Sequence, residues 1–541
     1  MGSSQPNGDK SNYDVIIIGA GHNGLVTAGY LAKKGLKVGV FEKRGIEGGC
    51  AVTQENWPGF KVSSLSYVNS LFKPQIVSDL DLKSHGFEML PRSPSSFTPF
   101  LDGRYMLLGP DKQLCHDQIA KFSKKDAKNY PLYEQALTEL SEILEPMMTM
   151  VPINPAKMSF SEVMTYGKFG VKNRKNLKER WPEIMRFMAG SATDMLNEWF
   201  ESDELKATLA TDAIIGANAS PSMPGTAYIL FHHVMGECNG VRGVWGYMRG
   251  GMGGLTQSLA KSCRAKGVEI FTNAGVKNII VENGRAVGIA MADGREHRAN
   301  LVVSNADPNI TFNHLISSSD LPAGFLSDVR RINYDSASVK INLALSELPN
   351  FTAIPGTDPA PHHRGTIHLC PSMQFIEEGF ADSLVGRPSR NPILECTIPS
   401  VLDNTVAPPG KHVMNIFVQY GPYKLTTGKT WDQEKEPFAD RCIDVLEQYA
   451  PNIKKAIMHR EVITPLDLER EYSLTGGSLF HGRLTLDQMF NMRPVPGYSD
   501  YRTPLKGLYL CGSGTHPGGG VTGIPGWNAY NQIVNDKAWR L

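Results

Sequence analysis

Three glycines at fixed spacing, Gly19, Gly21 and Gly24, separate a short apolar run, Val15–Ile18, from a helical pattern carried by Leu25, Ala28 and Leu31–Ala32. A strand running through G-x-G-x-x-G into a helix is the arrangement that holds a dinucleotide. Gly19 permits the tight turn. Gly21 lets the backbone approach a pyrophosphate, and Gly24 lets helix and strand pack closely. The free N–H groups and partial positive charge of the helix start then face the phosphates. Glu42 follows about 20 residues later, where an acid hydrogen-bonds the adenosine ribose and disfavours a 2′-phosphate. The bare glycine pattern is weak evidence. Strand, helix and acid in register make it specific.

A second glycine-rich segment, Gly512–Gly526, follows the apolar run Leu508–Leu510 and precedes a helical pattern over 528–539. Reduced flavin gathers negative charge at its N1–C2=O edge, which a helix N-terminus would stabilise. Gly512 and Ser513 would set backbone against a ribityl phosphate, with Val521 and Thr522 at the helix approach. His516, inside this loop, is the leading candidate for a catalytic ionisable group. The competing reading, hydrogen bonding that holds the loop, is the commoner use of a histidine in such a place. The pairs His232-His233 and His362-His363 follow as weaker candidates, the second read as exposed in a Pro-rich loop.

These residues need elements to position them. Val15–Ile18 and Leu36–Glu42 read as strands buried on both faces, with one helix between them and Gly35 as its C-cap. Residues 116–205 read mostly as helices. Asn283-Gly284 and Asp293-Gly294 mark the turns of a three-stranded meander over Val276–Ala306. Further strands are predicted at Val339–Leu345, near 393–399 and near 412–420. The run Arg249–Gly254 lacks a clean preceding strand and reads as a glycine-opened helix near the cofactor, so no second dinucleotide unit is expected.

With 541 residues the chain is too long for one core, and two or more lobes are expected. Glycine is frequent, 53 residues, against a usual share of about 7%. The net charge of +1 gives no reason to expect nucleic acid as a partner. Eight cysteines show neither C-x-x-C nor zinc spacing, so no metal is expected and a reducing compartment is the simplest reading. No run of 18 apolar residues marks a membrane span, and Met1–Asn12 lacks the pattern of a secretory signal or transit peptide. The chain therefore reads as soluble and not secreted. The basic stretch Lys168–Arg180 suits either a solvated helix face or a peripheral membrane contact.

Gly48-Gly49, just after the second strand, resembles the additional signature of glutathione-reductase-type FAD domains, where Arg usually follows. Here Cys50 stands in its place. The stretches GAGHNGLVTAGYL, PGFKVSSLSY, LATDAIIGANASPSMPGTAY, GGMGGLTQSLA, LVVSNADP and GTHPGGGVTG together resemble the carotenoid/retinoid oxidoreductase (phytoene desaturase-like) family. The resemblance implies an α/β fold: a Rossmann-like FAD-binding domain of the glutathione-reductase type, built from discontinuous segments, with an inserted α+β substrate lobe. The segments are 13–90, 240–310 and 500–541 for the first, and 91–239 and 311–499 for the second. It also places Val276 where backbone atoms hold the adenine. The implied activity is an FAD-dependent oxidoreductase acting on C–C bonds of an apolar small molecule by hydride transfer to flavin N5. Dithiol chemistry is not expected, since only Cys50 lies near the first helix. The alternatives are an FAD amine oxidase and a weakly catalytic flavoprotein regulating mitochondrial function. The compartment reads as mitochondrial matrix or cytoplasm; oligomeric state and electron acceptor stay open.

Overall fold

The computed structural model describes residues 12–153, 158 and 160–540. Residues 1–11, on which the presequence reading rests, lie outside the described residues. The strand Asn12–Ile18 is the centre of the first sheet. It pairs in parallel with Val38–Phe41 on one side and Glu296–Ser304 on the other, with Ile18 level with both Phe41 and Ser304. Glu269–Phe271 extends the sheet beyond Val38–Phe41. Glu296–Ser304 divides its outer edge. Its first residues pair with the antiparallel meander Arg285–Met291 and Val276–Glu282, and its last three with Leu508–Leu510. Asn283 and Gly284 both adopt positive φ, 50° and 72°, which is why that pair makes the tight meander turn.

The apolar run at 15–18 follows from its surroundings. Val15 and Ile17 pack under the helix His22–Lys33, while Ile16 and Ile18 face the meander side. A strand covered on both faces has no polar alternation. The first helix is buried almost all round and meets the helix Ile524–Asn535, about 500 residues away in sequence. Thr27 donates to the Gly526 carbonyl (3.0 Å) and Asn23 to the Ser513 hydroxyl (3.3 Å). At Gly526 a Cβ would stand 2.2 Å from the Asn23 carbonyl oxygen.

The second sheet has the order Ile457–Ile463, Ser338–Leu345, His412–Gln419, Ile393–Thr397, Thr366–Leu369, Ser96–Pro99 and Tyr105–Leu108. Its pairs are antiparallel except Thr366–Leu369 with Ser96–Pro99. One face, with Val339, Ile341, Leu343, Met414 and Ile416, packs on the helix Trp431–Tyr449. The other face carries Lys340, Asn342, Asn415, Glu395, Thr366 and His368, yet these are buried too. The alternation in Ser338–Leu345 therefore separates an apolar core from a buried polar layer, not core from solvent. A helical bundle including Lys124–Met148, Phe160–Ala189 and Thr226–Val234 completes this lobe.

Two sequence expectations are corrected. Residues 311–329 do not belong with the inserted lobe: Phe312, Leu315, Phe325, Leu326 and Val329 pack on Tyr13, Ile16 and Val302 of the first sheet. The sequence hides this because the helix Ala323–Arg330 has an ordinary amphipathic pattern that names no partner. His362 and His363 are not exposed but 2% and 0% accessible. The turn Pro361–His363 tucks His362 against Phe97 (ring centroids 5.2 Å apart), and His363 donates to the Pro349 carbonyl (3.0 Å).

The helix crossing yields a prediction. Gly526→Val should destabilise the fold by about 1–3 kcal/mol, the usual cost of overpacking a tight contact. It should also lower flavin content. Gly324→Ala, where a Cβ meets nothing within 4 Å, should leave both unchanged in thermal melts and absorbance spectra.

Candidate functional site

A cavity of about 1100 Å³ runs from the glycine turn of the first sheet to the polar face of the second. Gly19, Gly21, Glu42, Gly49, Val276, Ser513 and Val521 line it. Gly24, Gly48, Gly512 and Thr522, read from sequence as parts of the same site, stand behind the wall. A Cβ on Gly24 would come within 2.3 Å of the Gly19 carbonyl oxygen, so its role is close packing of helix on strand. Gly48 donates its N–H to the Ala20 carbonyl (2.9 Å) at φ +127° and backs onto Thr256. Gly512 presses on the Asn305 backbone. The Thr522 hydroxyl accepts from Ile524 N–H (3.1 Å), ordering the start of the last helix. The helix Gly253–Ala265, opened by the run at 249–254, supports Gly48-Gly49 from behind: Thr256 donates to the Ala51 carbonyl (2.7 Å).

Glu42 ends the second strand almost buried. Its carboxylate accepts from Ala20 N–H (2.8 Å) and Arg44 N–H (2.9 Å), which fixes it at the mouth of the glycine turn. Arg44 stacks its guanidinium on Tyr472 at 4.1 Å and donates to the Gly49 carbonyl (3.4 Å). It supplies positive charge near the position where Cys50 replaces the expected arginine.

Several buried polar atoms on the cavity wall have no partner among the described residues: His22 Nε2, Asn23 Oδ1 and His481 Nδ1. Burial holds the His22 imidazole down to about 4 and that of His481 to about 3, so both are neutral. Unsatisfied polar atoms beside a glycine cradle fit a large polar ligand. At Gly21 a side chain would collide with Asn305 at 2.7 Å, and at Gly49 with the Gly21 backbone at 3.1 Å. The groups present fit a flavin cofactor, whose chemistry is to accept and return hydride. The glycine turn would hold its phosphates, and Ser513 and Val521 its flavin half.

His516 does not line the cavity. Its Nε2 donates to the Met147 carbonyl (3.0 Å), its ring packs on Phe490 (5.7 Å), and burial lowers it to about 4. Loop holding is its role. The stronger brace of that loop is Arg493, which sequence reasoning missed. It is buried and donates to the carbonyls of Ser513, Arg483, Gln488 and Phe480. Also missed were Tyr67, Arg92, Asp212, His368 and Glu395, which line the far end of the cavity. Only the alternation in the strands could have pointed to the last two. His233 lines the cavity with its Nδ1 spent on the Ile229 carbonyl (2.9 Å), while His232 is buried beside it.

Cys50 is the single cysteine among the described residues on the wall, and burial pushes its thiol up to about 12. A protonated lone thiol does not perform dithiol exchange. Among the described residues no group of His, Cys, Asp and Glu could hold a metal.

A nucleotide turn and a C-terminal flavin loop opening on one cavity define a flavin-dependent oxidoreductase with a Rossmann-like α/β domain. The chain belongs to the flavin containing amine oxidoreductase family, whose model matches residues 172–526; an NAD(P)-binding Rossmann-like domain matches 17–75. It is 43% identical to pyridine nucleotide-disulfide oxidoreductase domain-containing protein 2 of Rattus norvegicus, over 97% of this chain and 94% of that one. It is 26% identical to the chloroplastic prolycopene isomerase of Daucus carota, over 96% and 79%. It is 24% identical to phytoene desaturase (lycopene-forming) of Pseudescherichia vulneris, over 94% and 96%. An oxidoreductase structure from Methanosarcina mazei shares the fold, with TM-score 0.59 at 19% identity over 96% of this chain and 99% of that one.

The buried neutral histidines make stability pH-dependent. Their folded pKa values lie below the ordinary imidazole value, so the unfolded chain binds more protons between about pH 6.5 and 4. Their contribution is complete above pH 6.5 and is lost as pH falls through that window. In His516→Gln, which keeps a donor for Met147, the acid-side slope of unfolding free energy should shrink by about 1.4 kcal/mol per pH unit. Chemical denaturation at pH 7, 6 and 5 measures it.

Proposed function

We propose that the cofactor is FAD and that the enzyme makes, saturates or shifts C–C double bonds in an apolar small molecule, with hydride passing between substrate and flavin N5. The observation that carries this reading is the continuity of one cavity from Glu42 and the Gly19–Gly21 turn to Ser513 and Val521. An adenosine-type site joined to a flavin-type site suits a dinucleotide and is longer than FMN requires. The likeness to a prolycopene isomerase and a phytoene desaturase supports a hydrocarbon substrate.

The purified protein should be yellow and release FAD, not FMN, on heat denaturation. Glu42→Ala should weaken FAD binding about 10- to 100-fold, the worth of a charged hydrogen bond to ribose. Anaerobic mixing with a panel of terpenes, carotenoids and amines should bleach the flavin with an unsaturated hydrocarbon. Bleaching by amines with peroxide release would establish the amine oxidase reading. Slow turnover with every compound would establish the regulatory one. Eight free cysteines support a reducing compartment, mitochondrial matrix or cytoplasm.

We further propose that the helix Phe160–Ala189 docks on an anionic bilayer, from which an apolar substrate would be drawn. Among the described residues no helix is long and apolar enough to cross one. This helix exposes Phe160 (80%), Val171 (73%) and Trp181 (56%), with Val163, Met164 and Met185 exposed along it. Lys168, Lys172, Arg174, Lys175 and Lys178 lie among and beside them. The protein should sediment with phosphatidylserine-containing vesicles and be released by salt. Phe160→Ser with Trp181→Ser should lose most of that binding, and equal binding by the double variant would overturn the assignment.

A further inference from the structure

Strand register sets a row of residues across the polar face of the second sheet. Lys340 lies opposite Phe417, Phe417 opposite Glu395, and Glu395 opposite His368. Oε2 of Glu395 accepts from the Tyr67 hydroxyl (3.2 Å), and Oε1 lies 3.8 Å from His368 Nδ1. His368 Nδ1 is also 3.2 Å from the hydroxyl of Thr211, the neighbour of Asp212. Arg92 closes the group, donating to the Thr366 hydroxyl (2.7 Å) and the Trp245 carbonyl (3.2 Å). Tyr67, Arg92, Asp212, His368 and Glu395 all open on the cavity that reaches Gly19 and Ser513.

The charges here are unlike those of an ordinary core. Burial, then the Asp212 charge, pushes Glu395 up to about 8, with Arg92 opposing. Burial pushes Asp212 up to about 7. Burial and Arg92 hold His368 down to about 3, so it is neutral. Lys340, with its ammonium 4.9 Å from the Tyr67 ring, is lowered by burial to about 7. The thiols of Cys370 and Cys396 and the Tyr67 phenol are pushed well up and stay protonated. Burying the Glu395 carboxyl and the Arg92 guanidinium, with the half-buried Asp212 beside them, is costly in a way that burying apolar side chains is not. Groups perturbed in this way on a cavity wall belong to chemistry more often than to stability.

We propose that Glu395 and Asp212, which share the cavity wall with Arg92, form the proton-transfer pair of this cavity, serving a conjugated apolar substrate. The assignment rests on the carbon–carbon redox reading above. In dehydrogenation, a bound flavin would supply the acceptor for one substrate hydrogen together with both electrons of its C–H bond. The adjacent carbon gives its proton to a carboxylate oxygen of the pair, and the electrons of that C–H bond become the new C=C bond. Saturation runs the same transfers backwards, with the protonated pair as donor. A pair that titrates near neutrality can do both.

Infrared difference spectra of the flavin-loaded protein between pH 6 and pH 9 test the pair without turnover. The wild type should lose a protonated-carboxyl band on alkalinisation. Glu395→Gln should remove part of that loss. Asp212→Asn should remove another part and move the remaining titration to lower pH, because a like charge is gone. A band of wild-type amplitude in the double variant would overturn the proposal. With a substrate that bleaches the flavin, each variant should slow bleaching by about 100-fold or more, while dithionite bleaching and flavin content stay unchanged. An unchanged rate in both variants would also overturn it. If the infrared changes occur but no hydrocarbon bleaches the wild type, the proton pair stands and the carbon–carbon reading falls.

Discussion

The crossing of the first and last helices is the contact on which the rest depends. Gly526 lies against the carbonyl of Asn23, and Thr27 and Asn23 reach across to Gly526 and Ser513. The N-terminal end of the chain brings a glycine turn and an acid; the C-terminal end brings a loop whose carbonyls are gathered by the buried Arg493. Closure of a loop of about 500 residues costs entropy that grows only slowly with length, so a few tight glycine contacts and a shared core can meet it.

Around that crossing the fold sets a constraint of a second kind. The inserted sheet buries its polar face and does not offer it to water. Lys340 donates to the amide oxygens of Asn342 and Asn415 (2.9 and 3.1 Å), and Asn342 donates on to Glu461 (2.7 Å). On the neighbouring strands Glu395 accepts from the Tyr67 hydroxyl, and His368 pairs with the Thr211 hydroxyl. In a low-dielectric space such networks are rigid when complete and costly when not. Thr366, His368 and Glu395 thus give the cavity a polar wall from the second sheet, while Tyr130, Leu137 and Leu230 of the helical bundle supply apolar surface.

The chemistry left to such a site is constrained by how its walls are committed. Cys50 faces the cavity alone and protonated, which removes dithiol exchange from a chain similar to a protein named for it. His516 is tied to the Met147 carbonyl, which removes the most obvious base in the loop. Positioning a C–H bond against a flavin requires neither, since the cofactor supplies the electron sink and the protein supplies orientation.

By itself, the sequence determined the first sheet and its nucleotide turn. Val15–Ile18, Gly19, Gly21, Gly24 and Glu42 encode local geometry: a buried strand, a turn that excludes side chains, a helix start. The meander turns at Asn283-Gly284 and Asp293-Gly294 were legible for the same reason, being written in backbone preference. Which glycines touch the cavity and which pack behind it was decided only in three dimensions. Gly24, Gly48 and Gly512 look the same in sequence as Gly19 and Gly49, but packing partners from distant segments separate them. The inner-facing polar row was hidden too, because alternation tells a strand's two faces apart without saying what covers either. Tyr67, Arg92, Asp212, His368 and Glu395 lie far apart in the chain and share no spacing rule. Strand register and lobe closure alone bring them to one wall.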